Sequence, residues 1–149
     1  MATAKQQLGD FGENFVSKNI NCPSCKWVEC SLKLLPINFK CADLICDFCG
    51  YLAQVKSVSV KDMSLLPKQI PGADWGPKKE RMLAGIYFPL YIVAKDLSAK
   101  VGVYYLPKDL QTEKMFISRK PLSVTAKRAG WQGFTINLEA GTSAPVRIL

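Results

Sequence analysis

Residues Cys41 to Ser57 interleave two sets of side chains capable of chemistry. Cys46 and Cys49 are spaced as Cys-x2-Cys, and a second such pair, Cys22 and Cys25, lies upstream with twenty residues between them. Two intervening residues let both sulfurs of a tight knuckle face one ion, and two knuckles make a four-thiolate zinc site. Pro23 stiffens the first knuckle, and Gly50 permits the turn after the second. Two disulfides or four unrelated thiols would use the same residues, but a reducing compartment disfavours the disulfides. Four thiolates close the coordination sphere, so this zinc is expected to be structural, clipping residues 26–45 against the core. Cys30 and Cys41 are left over and read as buried thiols in strand-like surroundings.

The second set is Asp43, Gln54 and Lys56. Phosphodiester hydrolysis needs a metal to polarise the phosphate and activate water, and a positive group near that water. A hard ion such as Mg²⁺ prefers oxygen donors. Asp43, the amide oxygen of Gln54 and the carbonyl of Val55 would supply three, with Lys56 beside the water. The pattern resembles the PD-(D/E)xK nuclease motif, with Ala42-Asp43 for Pro-Asp and Gln54-Val55-Lys56 for Glu-x-Lys. Taken alone the motif is degenerate, and polar residues on a strand surface are the better reading of it.

The elements that must position these groups follow from periodicity. Residues 4–19 predict a helix with an apolar stripe through Leu8, Phe11 and Phe15, and Glu13 lies off that stripe. On periodicity Glu13 is a solvated helix carboxylate. Lys26–Leu35 reads as a strand ending at Pro36. Cys41–Cys46 and Gly50–Val60 read as a hairpin whose turn is the second knuckle. Pairing across that turn brings Asp43 beside Gln54, and period-two alternation points Gln54 and Lys56 to one face. Residues 61–75 predict a loop, and Pro77–Leu83 a short helix carrying Lys78, Lys79 and Arg81. Ile86–Asp96 and Val101–Leu106 predict a hairpin, with Pro89 confined to the start of its strand or a bulge. A polar, basic stretch follows with a helical piece at Thr125–Ala129, and Phe134–Leu138 and Val146–Leu149 close the fold.

With 149 residues, 48 % of them apolar and 21 % charged, the chain predicts one ordered domain. Apolar runs such as Ile86–Val93 are too short to span a bilayer, and the first residues lack a signal-peptide core, so a cytoplasmic protein is expected. Twenty basic against twelve acidic residues leave a net charge of +8, which favours polyanionic partners and also suits simple solubility. There is no histidine, which excludes every hydrolase that depends on imidazole as base or ligand.

Further segments extend the nuclease resemblance. Cys22-Pro-Ser-Cys25, Ala42-Asp43-Leu-Ile-Cys46-Asp-Phe-Cys49, Gln54-Val-Lys56-Ser57, Leu106-Pro107-Lys108 and the long block from Ser118 through Arg119-Lys120-Pro121 to Lys127-Arg128-Ala129-Gly130-Trp131-Gln-Gly133 are together similar to the catalytic domain of the DpnI-type methyl-directed restriction endonucleases. The resemblance covers most of the chain. It implies an α+β fold, a mixed sheet flanked by helices, with a zinc-containing PD-(D/E)xK core. It also implies a Mg²⁺-dependent, type II endonuclease of prokaryotic or phage type, cutting duplex DNA at Gly-Ala-Thr-Cys sites carrying N6-methyladenine. In that reading Asp43, Gln54 and Val55 hold Mg²⁺, Lys56 serves the water, and Glu13 is a helix carboxylate near the metal. Lys78, Lys79, Arg81, Arg119, Lys120, Lys127 and Arg128 contact DNA, and Trp131 packs its indole against the adenine methyl group. Two departures stand out. Gln54 replaces the motif's Glu, which weakens the metal site and opens the alternative of a zinc-stabilised DNA-binding module with weak or lost cleavage. The chain also ends at Leu149, without the winged-helix domain of the family's best-known member, so recognition by a single domain, as monomer or homodimer, is expected.

Overall fold

The computed structural model of the chain describes residues 1–25 and 28–149. Helix α1 spans Ala4–Asn19, as its periodicity requires. Thr3 starts it with a capping box: the Gln6 N–H donates to the Thr3 hydroxyl at 3.2 Å, and the Thr3 N–H donates to the Gln6 side chain at 2.8 Å. The buried face is Gly12 and Val16, with Leu8, Phe11 and Phe15 only half-buried beside it. The expected stripe is therefore displaced by one residue. The cause is Gly12, where a Cβ would stand 1.9 Å from the Ser57 hydroxyl, so the helix meets the sheet along its glycine.

Strands β1 (Lys33–Leu34), β2 (Leu44–Ile45), β3 (Leu52–Ser59), β4 (Gln69–Gly72), β5 (Leu90–Lys95), β6 (Val101–Leu106), β7 (Phe116–Ser118), β8 (Phe134–Asn137) and β9 (Val146–Arg147) form two sheets, and helix α2 (Trp75–Leu83) lies between β4 and β5. The larger sheet has the order β1-β2-β3-β5-β6-β9. It is mixed: β3 and β5 run parallel, and the other neighbours are antiparallel. A parallel pair needs a long crossover, which β4 and α2 provide. The smaller sheet has the order β4-β8-β7.

Each face of the large sheet has its own core. Val55, Tyr91, Val93 and Val103 pack against Val16 of α1 and the second-knuckle residue Cys46. Val58, Leu90, Ile92, Ala94 and Leu106 pack against Ile70, Phe116, Phe134 and Ile136 of the small sheet. Each of the valine, leucine, isoleucine and phenylalanine side chains among these contributes about 1.5–3 kcal/mol by burial.

The structure corrects several local expectations. Residues 61–75 contain β4, whose pairing with β8 is a long-range contact that local composition does not reveal. The segment Phe116–Ser118 is a strand, whereas Thr125–Ala129 forms turns and bends instead of a helix. β5 begins at Leu90, directly after Pro89, and α2 begins at Trp75 behind Asp74. The first two residues of the strand expected at 26–35 lie outside the described residues; of the rest, only β1 and an isolated bridge between Asn21 and Ser31 form. Cys30 and Cys41 are half-buried, and Cys41 stands outside any strand at φ 67°. Among the described residues, no helix is long and apolar enough to cross a membrane.

Candidate active site and four-cysteine cluster

The hairpin β2–β3 aligns Leu44 with Ala53 and Ile45 with Leu52. Continuing that register sets Asp43 opposite Gln54, and the Asp43 N–H donates to the Ala53 carbonyl at 2.9 Å. β2 ends there, so the next N–H along the edge of β3, that of Val55, donates to the Asp43 carboxylate at 2.7 Å. A strand residue points its N–H and C=O to the same side, so the Val55 carbonyl shares this edge with Asp43. Burial pushes the Asp43 pKa up, while the Val55 N–H and the Lys56 charge pull it down.

Gln54 and Lys56 lie on the same face of β3, on which Val58 packs against the small sheet. Asp43, Gln54 and Lys56 line one cleft of about 360 Å³, together with Lys40, Cys41, Asp74 and Lys78. Gln54 is buried, with 8 % of its surface exposed. Asp43 is also a wall of a second cleft, of about 500 Å³, shared with Asp10 and Glu13 of α1. Glu13 therefore approaches the site over the end of β2, in the helix turn where Gly12 presses on Ser57. Burial, then the charges of Asp43 and Asp10, raise the Glu13 pKa to about 7, with Lys56 opposing. Asp10 was not singled out in the sequence, although its i, i+3 spacing to Glu13 places both on one helix face. Burial holds back ionisation of both Glu13 and Asp43, and the close approach of these acidic groups makes a field that favours a cation.

The sulfurs of Cys22, Cys25, Cys46 and Cys49 all lie within 4.8 Å of one another. The Cys22–Cys49 and Cys25–Cys46 separations are 3.6 and 3.5 Å. A disulfide would require about 2.05 Å. The edge of a sulfur tetrahedron around zinc, with Zn–S of about 2.3 Å, is roughly 3.8 Å. The cluster thus has the donor set and the size for zinc. The Cys49 N–H, aimed at the Cys46 sulfur, together with the Phe48 N–H holds the Cys46 pKa down to about 6 against burial, whereas burial and the neighbouring sulfurs push the Cys22 and Cys25 thiols up. The knuckle also supplies the turn between β2 and β3: the Cys46 N–H donates to the Tyr51 carbonyl at 2.8 Å.

The basic residues separate into two groups. Lys78 is 3 % exposed, lines the cleft, and sets its ammonium 3.8 Å from the centre of the Phe116 ring. Arg81 is half-buried and donates to the Pro77 carbonyl at 3.2 Å. Lys79 is exposed and borders a separate depression with Trp75 and Phe116. Arg119, Lys120, Lys127 and Arg128 are all exposed on the loop joining β7 to β8. That loop is braced by Arg119 N–H to Gly133 carbonyl at 3.0 Å and Leu122 N–H to Trp131 carbonyl at 2.8 Å. The Arg128 guanidinium stacks 4.4 Å from the half-buried Trp131 ring. The Trp75 N–H donates to the Gln132 carbonyl at 2.9 Å, and Phe134, at the end of the loop, lines the cleft. The basic loop is thereby tied to the wall of the Asp43 cleft.

The chain matches the family model described as "DpnI: Dam-replacing family" over residues 2–148. The match spans nearly the whole length, knuckles, hairpin and basic loop included, and the chain belongs to this family.

Proposed function

We propose that this protein is a metal-dependent endonuclease built on a PD-(D/E)xK core, acting on duplex DNA at Gly-Ala-Thr-Cys sites that carry N6-methyladenine. The observation that carries the reading is the convergence of Asp43, Gln54 and Lys56 on one cleft, with the Val55 backbone along the same edge. Membership of the DpnI family supports a nuclease-like, DNA-binding role. The donors present fit a hard ion: the Asp43 carboxylate, the Gln54 amide oxygen and the Val55 carbonyl would hold Mg²⁺. When bound, that ion supplies a Lewis acid for the phosphate and a more acidic water. Lys56 holds the attacking water and counters the charge that grows on the phosphate. Glu13, about half protonated near neutral pH in the absence of metal, takes or returns a proton on the other side of Asp43. The four cysteines bind zinc as a structural clip that fixes the β2–β3 hairpin. The Arg119–Arg128 loop contacts phosphates and base edges, and Trp131 meets the adenine methyl group, which lies in the major groove.

Gln54 favours a second reading. A neutral amide binds Mg²⁺ more weakly than a carboxylate, and the cleft lining carries three lysines against two aspartates. On that reading the protein binds methylated DNA and cuts it slowly or not at all. Digestion of adenine-methylated and unmethylated plasmid, with Lys56→Ala as control, tests the first reading. Mg²⁺-dependent cutting of the methylated plasmid alone is expected, and the absence of cutting of any duplex at ample protein refutes it. Gln54→Glu separates the two, because it should create or raise cleavage where the lost carboxylate is the defect.

A further inference from the structure

Lys78 stands where the amphipathic pattern of α2 calls for an apolar residue. Trp75, Lys78 and Met82 form the inward stripe of the helix, and Trp75 and Met82 pack against the small-sheet core. Lys78 is nevertheless the most deeply buried of the three, with 3 % of its surface exposed. Its ammonium rests on the faces of Phe116, at 3.8 Å, and Tyr87, at 5.3 Å. Among the described residues it makes no ion pair and no side-chain hydrogen bond. A cation so largely removed from water, with ring faces rather than an acidic side chain beside it, is unfavourable by itself, and a methionine would fill the position better. The same residue lines the cleft that holds Asp43, Gln54 and Lys56. Burial moves its pKa down to about 8, with the Cys41 sulfur opposing and the nearby Lys56 charge adding to the shift.

We propose that the missing anion is a DNA phosphate: Lys78 is a phosphate-binding residue inside the cleft, acting on the cut strand beside the groups that serve the scissile bond. The Phe116 and Tyr87 rings hold the ammonium in place, so little side-chain freedom is lost on binding. The inference rests on the nuclease reading, since it needs DNA to enter this cleft.

The test is binding of a duplex containing one adenine-methylated Gly-Ala-Thr-Cys site, with Ca²⁺ in place of Mg²⁺ to suppress cutting, over a series of KCl concentrations. Lys78→Met should bind about tenfold more weakly, the order of one charge-assisted contact. The slope of log K against log salt should fall by about 0.9, as for one lost phosphate contact. The melting temperature of the variant should stay level or rise, because the buried charge is gone, a signature that loss of a structural lysine would not give. If Lys78→Met does not fold, Lys78→Gln is measured in the same way. A variant that folds and keeps both affinity and slope overturns the assignment of Lys78 while leaving the nuclease reading intact. A wild-type protein that neither binds nor cuts duplex DNA overturns both.

Discussion

Glu13→Gln should flatten the pH dependence of stability in magnesium-free buffer. Glu13 is half-buried and faces the charges of Asp43 and Asp10, and its pKa rises from the ordinary 4.5 to about 7. Between those two values the folded protein keeps a proton that the unfolded chain has released. Stability therefore falls as pH rises through this window, and the Glu13 contribution is fully retained only below it. At about 1.36 kcal/mol per pH unit the effect would approach 3 kcal/mol for a fully buried acid. Solvent screens a half-exposed carboxyl, so a loss of about 1–2 kcal/mol is expected. In a domain of this size that corresponds to roughly 2–8 °C in melting temperature. Thermal unfolding followed by circular dichroism, from about pH 4.5 to pH 7.5, gives the comparison. Asp43, also raised by burial, titrates with the same sign, so the difference between the two proteins isolates Glu13 and its coupling to Asp43. Adding Mg²⁺ at the upper end should restore stability to the wild type more than to the variant, because the ion offsets the ionised carboxyl cluster. Parallel melting profiles for the two proteins would refute the placement of Glu13 in the field of Asp43 and Asp10.

Metal analysis should find about one zinc per chain, and a chelator or Cys46→Ser should collapse the cooperative unfolding transition, because a structural zinc supplies about 10–16 kcal/mol of apparent binding energy; an unchanged melt in protein shown to be free of zinc would refute this. Trp131→Ala should reduce the preference for methylated over unmethylated duplex by roughly fourfold per methyl group read, from about 0.8 kcal/mol for a buried methyl, and an unchanged ratio in competition binding removes Trp131 from methyl reading. Arg128→Ala, which removes the guanidinium stacked on Trp131, should weaken binding to both duplexes and lower the salt slope by about 0.9. A slope equal to that of the wild type would place Arg128 away from the phosphates.

The placement of Asp43, Gln54 and Lys56 was legible because it depends on short-range geometry. A tight knuckle turns β2 back on β3, and strand alternation then selects the face. The Val55 N–H on Asp43 follows from the same register. Glu13 was legible only through resemblance. Its helical position says nothing about Asp43, and what brings them together is Gly12 closing on Ser57 across a gap of more than forty residues. The small sheet was half-missed for a similar reason, since Gln69–Gly72 contains a proline and a glycine and becomes a strand only by pairing with Phe134–Asn137.

The sequence by itself determined the four-cysteine cluster, the hairpin it turns, and the shared face of Gln54 and Lys56, because each follows from spacing within a few residues. Tertiary structure alone decided that Asp10 and Glu13 close on Asp43, that Cys41 takes a left-handed conformation beside the cleft, and that Lys78 leaves the surface for the rings of Phe116 and Tyr87. A lysine in a short basic helix reads as exposed because its charge is solvated in the isolated segment. Only the packing of α2 against the small sheet turns that side chain inward, and only there does its lack of an anionic partner become visible.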